Sequence, residues 1–451
     1  MVWTLDVMDI FVNKIRQFTC LAIIITAMLA PAPVSALFEF GTTPNPVGSG
    51  ARALGMGGAF IAVADDATAA SWNPGGLTEL ETSEISVVGA WFDRNENFVY
   101  DDPFTTSGEF DISNTNINYL SAAMPLRLFN RHVVVSVNYQ NLFNLNKEFS
   151  YPLHTSVGSV SYALDPVDFT QEGQIYAIGL AGAIQLTPSL SFGMTLNFWE
   201  DGLEKNQWDR HTYTSGPGLI GGVIPLTYTY DDRHTYQFKG FNINLGLLWR
   251  FNEKITVGAV VKTPFSADLS HRYSTTSRLE IPSLNYDDTT YSSGESDEQL
   301  DIPLSYGIGI AYRFSDSLSM AIDLYRTEWD DFIHTDSTGE KRAFTSGIAK
   351  DASTIKPTTQ IRMGGEYLII KPKYVVPLRA GLFYDPAPAE GSPDEYYGFS
   401  LGSGIGWGRF IFDIAYQLRW GNDVGKDLIL DVDSSQDILE NTIYTSLIIH
   451  F

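Results

Sequence analysis

Cysteine is all but missing. The 451 residues contain one, Cys20, which excludes a disulfide framework and any cysteine-based metal site. Basic residues are scarce too: 29 lysines and arginines stand against 53 acidic side chains, a formal charge of −24. The chain therefore lacks the basic face with which a nucleic-acid binder displaces counterions from phosphate. The seven histidines show no paired metal-ligand spacing. Long helix-forming tracts of Ala, Glu, Lys and Leu are absent, and beyond residue 36 no segment offers the 18 or so continuous apolar residues of a membrane helix. What is abundant is glycine, 39 residues, with 13% aromatics and 44% hydrophobic residues. That much apolar surface repays the entropy of ordering and excludes a disordered chain. The composition leans towards β structure.

The first 36 residues read as an address. Lys14 and Arg16 precede the apolar run from Leu21 to Ala30, and PAPVSA then puts the small residues Val34 and Ala36 just before a cut after Ala36. A basic stretch, a short apolar stretch and small residues at the cut form the pattern of a secretory signal. Asp6 and Asp9 depart from it, and Met8 offers a later start. About ten apolar residues are too few to cross about 30 Å of hydrocarbon as a helix. Cys20 lies before the apolar run, not after it, so it is no lipid-attachment cysteine. The mature chain is expected to begin at Leu37 and to lack cysteine.

The remainder alternates with a period of two. In SLSFGMTLNFW, Leu190, Phe192, Met194, Leu196 and Phe198 share one face, and Ser191, Gly193, Thr195 and Asn197 the other. FIFDIAYQLRW sets Phe410, Phe412, Ile414, Tyr416, Leu418 and Trp420 against Asp413, Gln417 and Arg419. Successive strand side chains point to opposite faces. Strands of a soluble sandwich alternate as well, but they run about 5–6 residues; tilted membrane strands need about 9–11, and these segments run about 11–14. Trp, Tyr and Phe sit near the ends of the apolar faces, as in the aromatic girdles of bilayer interfaces. The charges Lys262, Arg313, Asp323, Arg362, Glu366, Arg379, Asp413 and Arg419 all fall on the polar parity. A wet lumen tolerates them there, whereas a lipid-facing Arg or Lys at mid-bilayer costs about 2–4 kcal/mol.

Tight turns at 187–189, 251–253, 315–317 and around Pro372 alternate with long polar loops at 144–171, 200–236, 266–302, 328–357 and 421–438. Short periplasmic turns and longer external loops alternate in this way in outer-membrane barrels. The expectation is an all-β fold, a transmembrane antiparallel β-barrel of about fourteen strands over residues 84–451. Its last strand alternates to a terminal Phe451, an end expected to serve as an assembly signal.

Residues 37–83 do not alternate. GSGARALGMGGAFIAVADDATAASWNPGGL is rich in glycine and alanine, with a turn at Asn73-Pro74-Gly75-Gly76. Small residues pack closely against surrounding walls, and glycine takes backbone shapes that others resist. Between a signal peptide and a barrel of this size, the natural place for this segment is inside the lumen, as an N-terminal hatch; a packed periplasmic extension is the alternative. Barrels of about 16–18 strands leave an aqueous channel and larger transporters are plugged. A plugged barrel of intermediate width points to controlled passage of selected solutes.

The stretch ADDATAASWNPGGL resembles the N-terminal hatch of FadL-type outer-membrane transporters of long-chain fatty acids and hydrocarbons. The likeness continues through NLGLLWRFNEKITVGAVVKTPF, YRFSDSLSMAIDLYRTEWDDF and LRAGLFYDPAPAEGSPDEYYGFSLGSGIGW to Phe451. Asn73 and Pro74 match the family's Asn-Pro-Ala hatch motif, with Gly75 in place of the alanine. The resemblance implies a barrel blocked by its hatch. It also implies a hydrophobic ligand that enters an external groove, reaches a pocket near the mature N-terminus and leaves sideways through a gap in the wall. PorV-type secretion accessories share the Gly-rich ADDA…NP segment, so a structural or secretion-accessory barrel that binds partner proteins is the alternative function.

Sideways release has a physical basis. An acyl chain gains about 0.8 kcal/mol for each CH₂ withdrawn from water, and release into an aqueous periplasm would forfeit that gain. Leu37, Phe38, Phe40, Phe60 and Ile61 are candidates to line an apolar pocket, with ordinary packing of plug against wall at least as strong a reading. Arg313, Arg362 and Arg379 are candidates to meet a fatty-acid carboxylate through charge-assisted bonds. Pairing with Glu366, Asp323 or Asp413 in a structural network is the weightier reading of these arginines.

Enzyme signals fail. Gly398-Phe399-Ser400-Leu401-Gly402 fits G-x-S-x-G, but a nucleophile elbow needs a strand, a sharp turn and a helix, whereas this stretch lies inside an alternating strand. Gly48-Ser49-Gly50-Ala51-Arg52-Ala53 follows no strand, as a dinucleotide loop requires. Asp431-Val432-Asp433-Ser434-Ser435-Gln436-Asp437 lacks the glycine and glutamate of a calcium loop. The expectation is a passive transporter of hydrophobic compounds, not an enzyme, with no cofactor and no metal. It would work as a monomer in outer-membrane lipid of a Gram-negative-type bacterium.

Overall fold

The computed structural model describes residues 48–100, 108–128, 130–157, 160–202, 205–220, 222–426 and 434–451. The expected signal peptide, Leu37, Phe38, Phe40 and residues 431–433 lie outside them. Strands are numbered along the chain. Fourteen close a barrel: β1 (Glu84–Tyr100), β2 (Gly108–Leu128), β3 (Arg131–Asn144), β5 (Val160–Thr187), β6 (Leu190–Trp199), β8 (Ile224–Arg250), β9 (Ile255–Lys262), β12 (Ser305–Arg313), β13 (Leu318–Thr327), β16 (Thr358–Ile370), β17 (Tyr374–Tyr384), β18 (Tyr397–Trp407), β19 (Phe410–Val424) and β20 (Ser434–His450). Each pairs antiparallel with the next in this order, and β20 closes on β1. In hydrocarbon every backbone polar group needs an internal partner, and a closed sheet meets that demand.

Two neighbouring rungs show why these sequences make such a wall. Ile310, Ile322, Met363 and Leu382 stand opposite one another on β12, β13, β16 and β17 and are 39–57% exposed. One residue along, Gly309, Asp323, Arg362 and Phe383 turn inward and are buried. A folded chain with bands of exposed large apolar side chains outside and charges inside has hydrocarbon as its outer solvent. Exposed aromatics, among them Trp249, Tyr312, Phe314, Tyr374 and Trp407, flank the tight turns. Those turns fall where expected, at Thr187/Leu190, Arg250/Ile255, Arg313/Leu318 and Ile370/Tyr374.

The long polar stretches are largely not loops, which corrects the sequence reading. β5 and β8 run 28 and 27 residues and continue beyond the barrel. There they join β4 (Lys147–Val157), β7 (Gln207–Ile220), β10 (Phe265–Ile281), β11 (Tyr286–Ile302), β14 (Ile333–Thr335) and β15 (Lys341–Ala343). The outer sheet runs β4-β5-β7-β8-β10-β11-β14-β15. Stretches such as TYTYDDRHTYQF (residues 227–238) read as polar because of their charges. Their Thr, Tyr and Phe nevertheless keep period two, and an antiparallel sheet tolerates charge on a wet face.

An inside-to-outside test follows. Ile322→Arg should destabilise the barrel by about 2–4 kcal/mol, the cost of a lipid-facing arginine, measured by reversible denaturant unfolding in lipid vesicles.

Candidate functional site

Residues 48–83 lie within the cylinder as short pieces, the helical turns Ala51–Gly55 and Ala69–Trp72 and the 3₁₀ turn Pro74–Glu79. Leu54, Met56, Phe60, Trp72 and Leu77 pack with wall residues Ala123, Val134, Ala181, Ala183, Ala311 and Ala321. Small wall residues let the two backbones touch. A Cβ on Gly364 would lie 2.1 Å from the Met56 carbonyl oxygen, and one on Gly193 would lie 2.2 Å from the Pro74 carbonyl.

Polar anchors come from around the wall. Asn73 Nδ2 donates to the carbonyls of Ile61 and Leu247, both at 2.8 Å, and Oδ1 accepts from Gly75 N–H at 3.1 Å. One carboxamide thus shapes the turn and ties it to β8, a physical reason for asparagine in the Asn-Pro motif. Asp323 accepts from the N–H groups of Phe60 and Ile61 at 2.6 and 2.8 Å. Ser400 accepts from Gly57 N–H at 2.8 Å and donates to the Gly55 carbonyl at 3.1 Å. The serine of the G-x-S-x-G stretch is therefore a strut between wall and plug.

Charges complete the anchoring. Arg379 bonds Glu366 and Asp413, each at 2.6 Å, and Arg52 of the plug pairs with the same Glu366 at 3.1 Å and with Asp65. Arg362 bonds Asp385 at 3.0 Å and the Gly57 carbonyl at 3.1 Å.

On the outer side of this segment lies a cavity of about 20 Å³ whose lining includes Ile61, Trp72, Lys262, Tyr325, Gln360 and Arg362. That is room for about one water molecule. The Lys262 ammonium sits 5.5 Å from the Tyr325 ring centre. Gln360 Oε1 accepts from Arg362 Nε and Nη2, both at 3.1 Å, which fixes the orientation of the amide. Its Nε2 then has no hydrogen-bond partner among the described residues, an omission that costs about 1–3 kcal/mol when buried. A cation, an open donor and two aromatic rings suit a molecule with an oxygen-bearing head and an apolar body. Beyond the cavity an aromatic roof closes the mouth, with Trp199, Trp208, Phe238, Trp329, Phe332 and Phe344 in one buried cluster.

The wall itself has a break. β2 and β3 pair from Tyr119↔Gln140 to Leu128↔Arg131. Outward of that rung, among the described residues, β2 pairs with β1 and β3 with β5. A cleft of about 650 Å³ opens there, lined in part by Asn114, Asn116, Ile117, Leu120 and Tyr139.

Of the residues singled out from sequence, Ile61 and Arg362 line the cavity. Phe60 is buried against Trp72, with ring centres 5.8 Å apart. Arg379 is engaged in ion pairs, the weightier of its two readings. Arg313 differs from expectation: it has the inward parity but sits exposed at the turn end of β12, far along the strand from the cavity. Parity fixes the face of a strand and says nothing of height. Trp72, Tyr325 and Gln360 were missed, and Lys262 was marked only as an inward charge. Lys262, Tyr325 and Gln360 sit on or near the outer ends of β9, β13 and β16, and position is their signal; Trp72 lies in the plug, in the turn Ala69–Trp72.

A family model described as outer membrane protein transport protein (OMPP1/FadL/TodX) matches residues 40–395. No curated protein matches the sequence. Among solved structures, the chain is similar to a Pseudomonas aeruginosa FadL homologue, at 15% identity over 91% of this chain and 98% of that one, TM-score 0.57. It is similar to the Pseudomonas putida toluene transporter TodX, at 14% identity over 92% and 100%, TM-score 0.58. It is also similar to the CymD monoaromatic hydrocarbon channel, at 16% identity over 90% and 98%, TM-score 0.55. At these identities the likeness establishes the fold alone.

Replacing Asn73 with alanine strands the Ile61 and Leu247 carbonyls. The expected outcome is a loosened plug, read as increased ion conductance in planar bilayers and a stability loss of about 1–3 kcal/mol.

Proposed function

This chain belongs to the outer-membrane transport protein family (OMPP1/FadL/TodX), and from that premise we propose that it admits amphipathic hydrophobic molecules of the fatty-acid class. The family comprises outer-membrane barrels that pass hydrophobic compounds. The observation that carries the finer reading is the chemistry of the cavity over the plug. A bare aromatic hydrocarbon offers nothing to Lys262 or to the open Gln360 Nε2, whereas a carboxylate accepts from both. Trp72, Tyr325 and the aromatic roof receive the chain that follows the head. Residues 37–83 act as the hatch, which must shift for cargo to pass, since the cavity holds no more than a water. Leu37, Phe38 and Phe40 lie outside the described residues and stay candidates for the apolar lining by their sequence alone.

Release is lateral, through the break outward of Tyr119↔Gln140 and into outer-membrane lipid. Each CH₂ kept out of water preserves about 0.8 kcal/mol, and the cleft at the break presents Ile117 and Leu120 beside polar asparagines. The protein works as a monomer and needs no energy source beyond the gradient of its cargo.

Uptake by proteoliposomes tests this. Lys262→Met should lower the uptake of a labelled long-chain fatty acid roughly tenfold or more, the loss of a charge-assisted bond of about 1.5–3 kcal/mol. Toluene uptake, if any, should be unaffected. Equal loss for both cargoes, or faster uptake of toluene than of fatty acid by the unaltered protein, overturns the fatty-acid assignment.

A further inference from the structure

We propose that the mouth of the barrel carries a proton-binding relay, Asp232–His234–His271–Glu298–His334, whose one additional proton latches the roof over the lumen. The relay crosses β8, β10, β11 and β14, just beyond the roof residues Tyr236 and Phe238. His234 Nε2 lies 2.9 Å from Asp232 Oδ2, and His234 Nδ1 lies 2.8 Å from His271 Nε2. His271 Nδ1 and His334 Nε2 each lie 2.7 Å from one oxygen of Glu298. These side chains are mostly buried, and His234 and His271 stack with Tyr236.

Counting protons gives the result. A carboxylate only accepts, and a neutral imidazole carries one N–H. His334 provides its own bond from Nε2, since its buried Nδ1 has no partner among the described residues. Between Asp232, His234, His271 and Glu298 there remain three hydrogen bonds, hence three protons, and two neutral imidazoles bring two. The third is taken from solution. Burial lowers the His234 pKa. Burial would raise that of Glu298, but its bonds from His271 and His334 hold it well below the usual carboxylate range. The other charged and titratable groups around the relay are Arg210 on β7, opposite His234, Tyr273 on β10, also opposite His234, Arg342 on β15, opposite His334, and Asp336 just past β14.

His334 ties the relay to the roof. It pairs with Leu300 of β11 on the short strand that follows Phe332, and β14 pairs with β15, which leads into Phe344. When the proton leaves, two neutral imidazoles hold two hydrogens for three contacts, so one contact brings two acceptors face to face. That contact opens, the strands it joined slacken, and the roof they carry loosens. The roof is thus held at lower pH and released as pH rises through the relay's titration, whatever the cargo.

The test uses the full chain in proteoliposomes with Cys20→Ser and Ala343→Cys, a buried roof position. Maleimide labelling from pH 6 to 9 is normalised to Tyr291→Cys, an exposed position, in the same background. Labelling at 343 should rise with pH by up to about tenfold per unit, the limit for one proton. Glu298→Gln is the decisive variant. Its amide donates to a neutral His271 and accepts from His334, supplying the missing proton, so labelling should stay low and flat. Flat labelling in the parent overturns the latch. So does Glu298→Gln opening the roof as widely as Glu298→Ala, which would make the carboxylate a structural contact only.

Discussion

Every charge that the wall turns inward must find its partner in a space that lipid cannot reach and the plug nearly fills. The structure meets this with alternating chains of ions. Lys147, Glu96, Arg94, Glu440, Arg419, Asp385 and Arg362 follow one another in sign and contact from β4 around the wall and end on the Gly57 carbonyl. Asp413, Arg379, Glu366, Arg52 and Asp65 make a second chain that passes from wall to plug. Removing one partner of a buried pair costs about 3–5 kcal/mol, because the other is left uncompensated. Wall and plug are for this reason one electrostatic unit.

Much of the barrel is legible in its sequence because lipid imposes a strict period. The number of strands, the tight turns and the inward parity of Asp323, Arg362 and Asp413 all follow from which side chains hydrocarbon accepts. The outer sheet was less legible. Outside the membrane both faces of a strand tolerate polar residues, so charges in β8 and β10 masked a pattern that Tyr228, Tyr236 and Leu269 still carry. The site was least legible of all. Arg313 and Arg362 share a parity and differ in height, and only the register of neighbouring strands tells them apart. Gln360 matters because Arg362 occupies its oxygen, a relation between residues two apart on a strand end that no motif encodes.

The sealed cavity and the aromatic roof describe a resting state. Pockets for drug-sized ligands measure about 300–1,000 Å³, against about 20 Å³ here, so occupancy requires movement of the plug, the roof or both. The two differ in what holds them. The plug is fixed by backbone contacts and multiple ion pairs, whereas the roof rests on packed rings and a few bonds, including Trp329 Nε1 to Thr358 at 3.0 Å. Stacked rings can re-pack around an aliphatic chain without stranding a charge, which makes the roof the easier part to displace.

The glycine contacts between wall and plug also bear on how the molecule is made. β1 continues directly from the plug and meets β20 along its whole length, and the last residue, Phe451, donates its N–H to the Ser83 carbonyl at 3.0 Å. With the Met56 and Pro74 carbonyls touching the cylinder wall, no clearance remains for threading the contents through a finished tube. The seam between first and last strands has to be zipped around cargo already in place, so biogenesis must keep an open sheet waiting until its filling has folded.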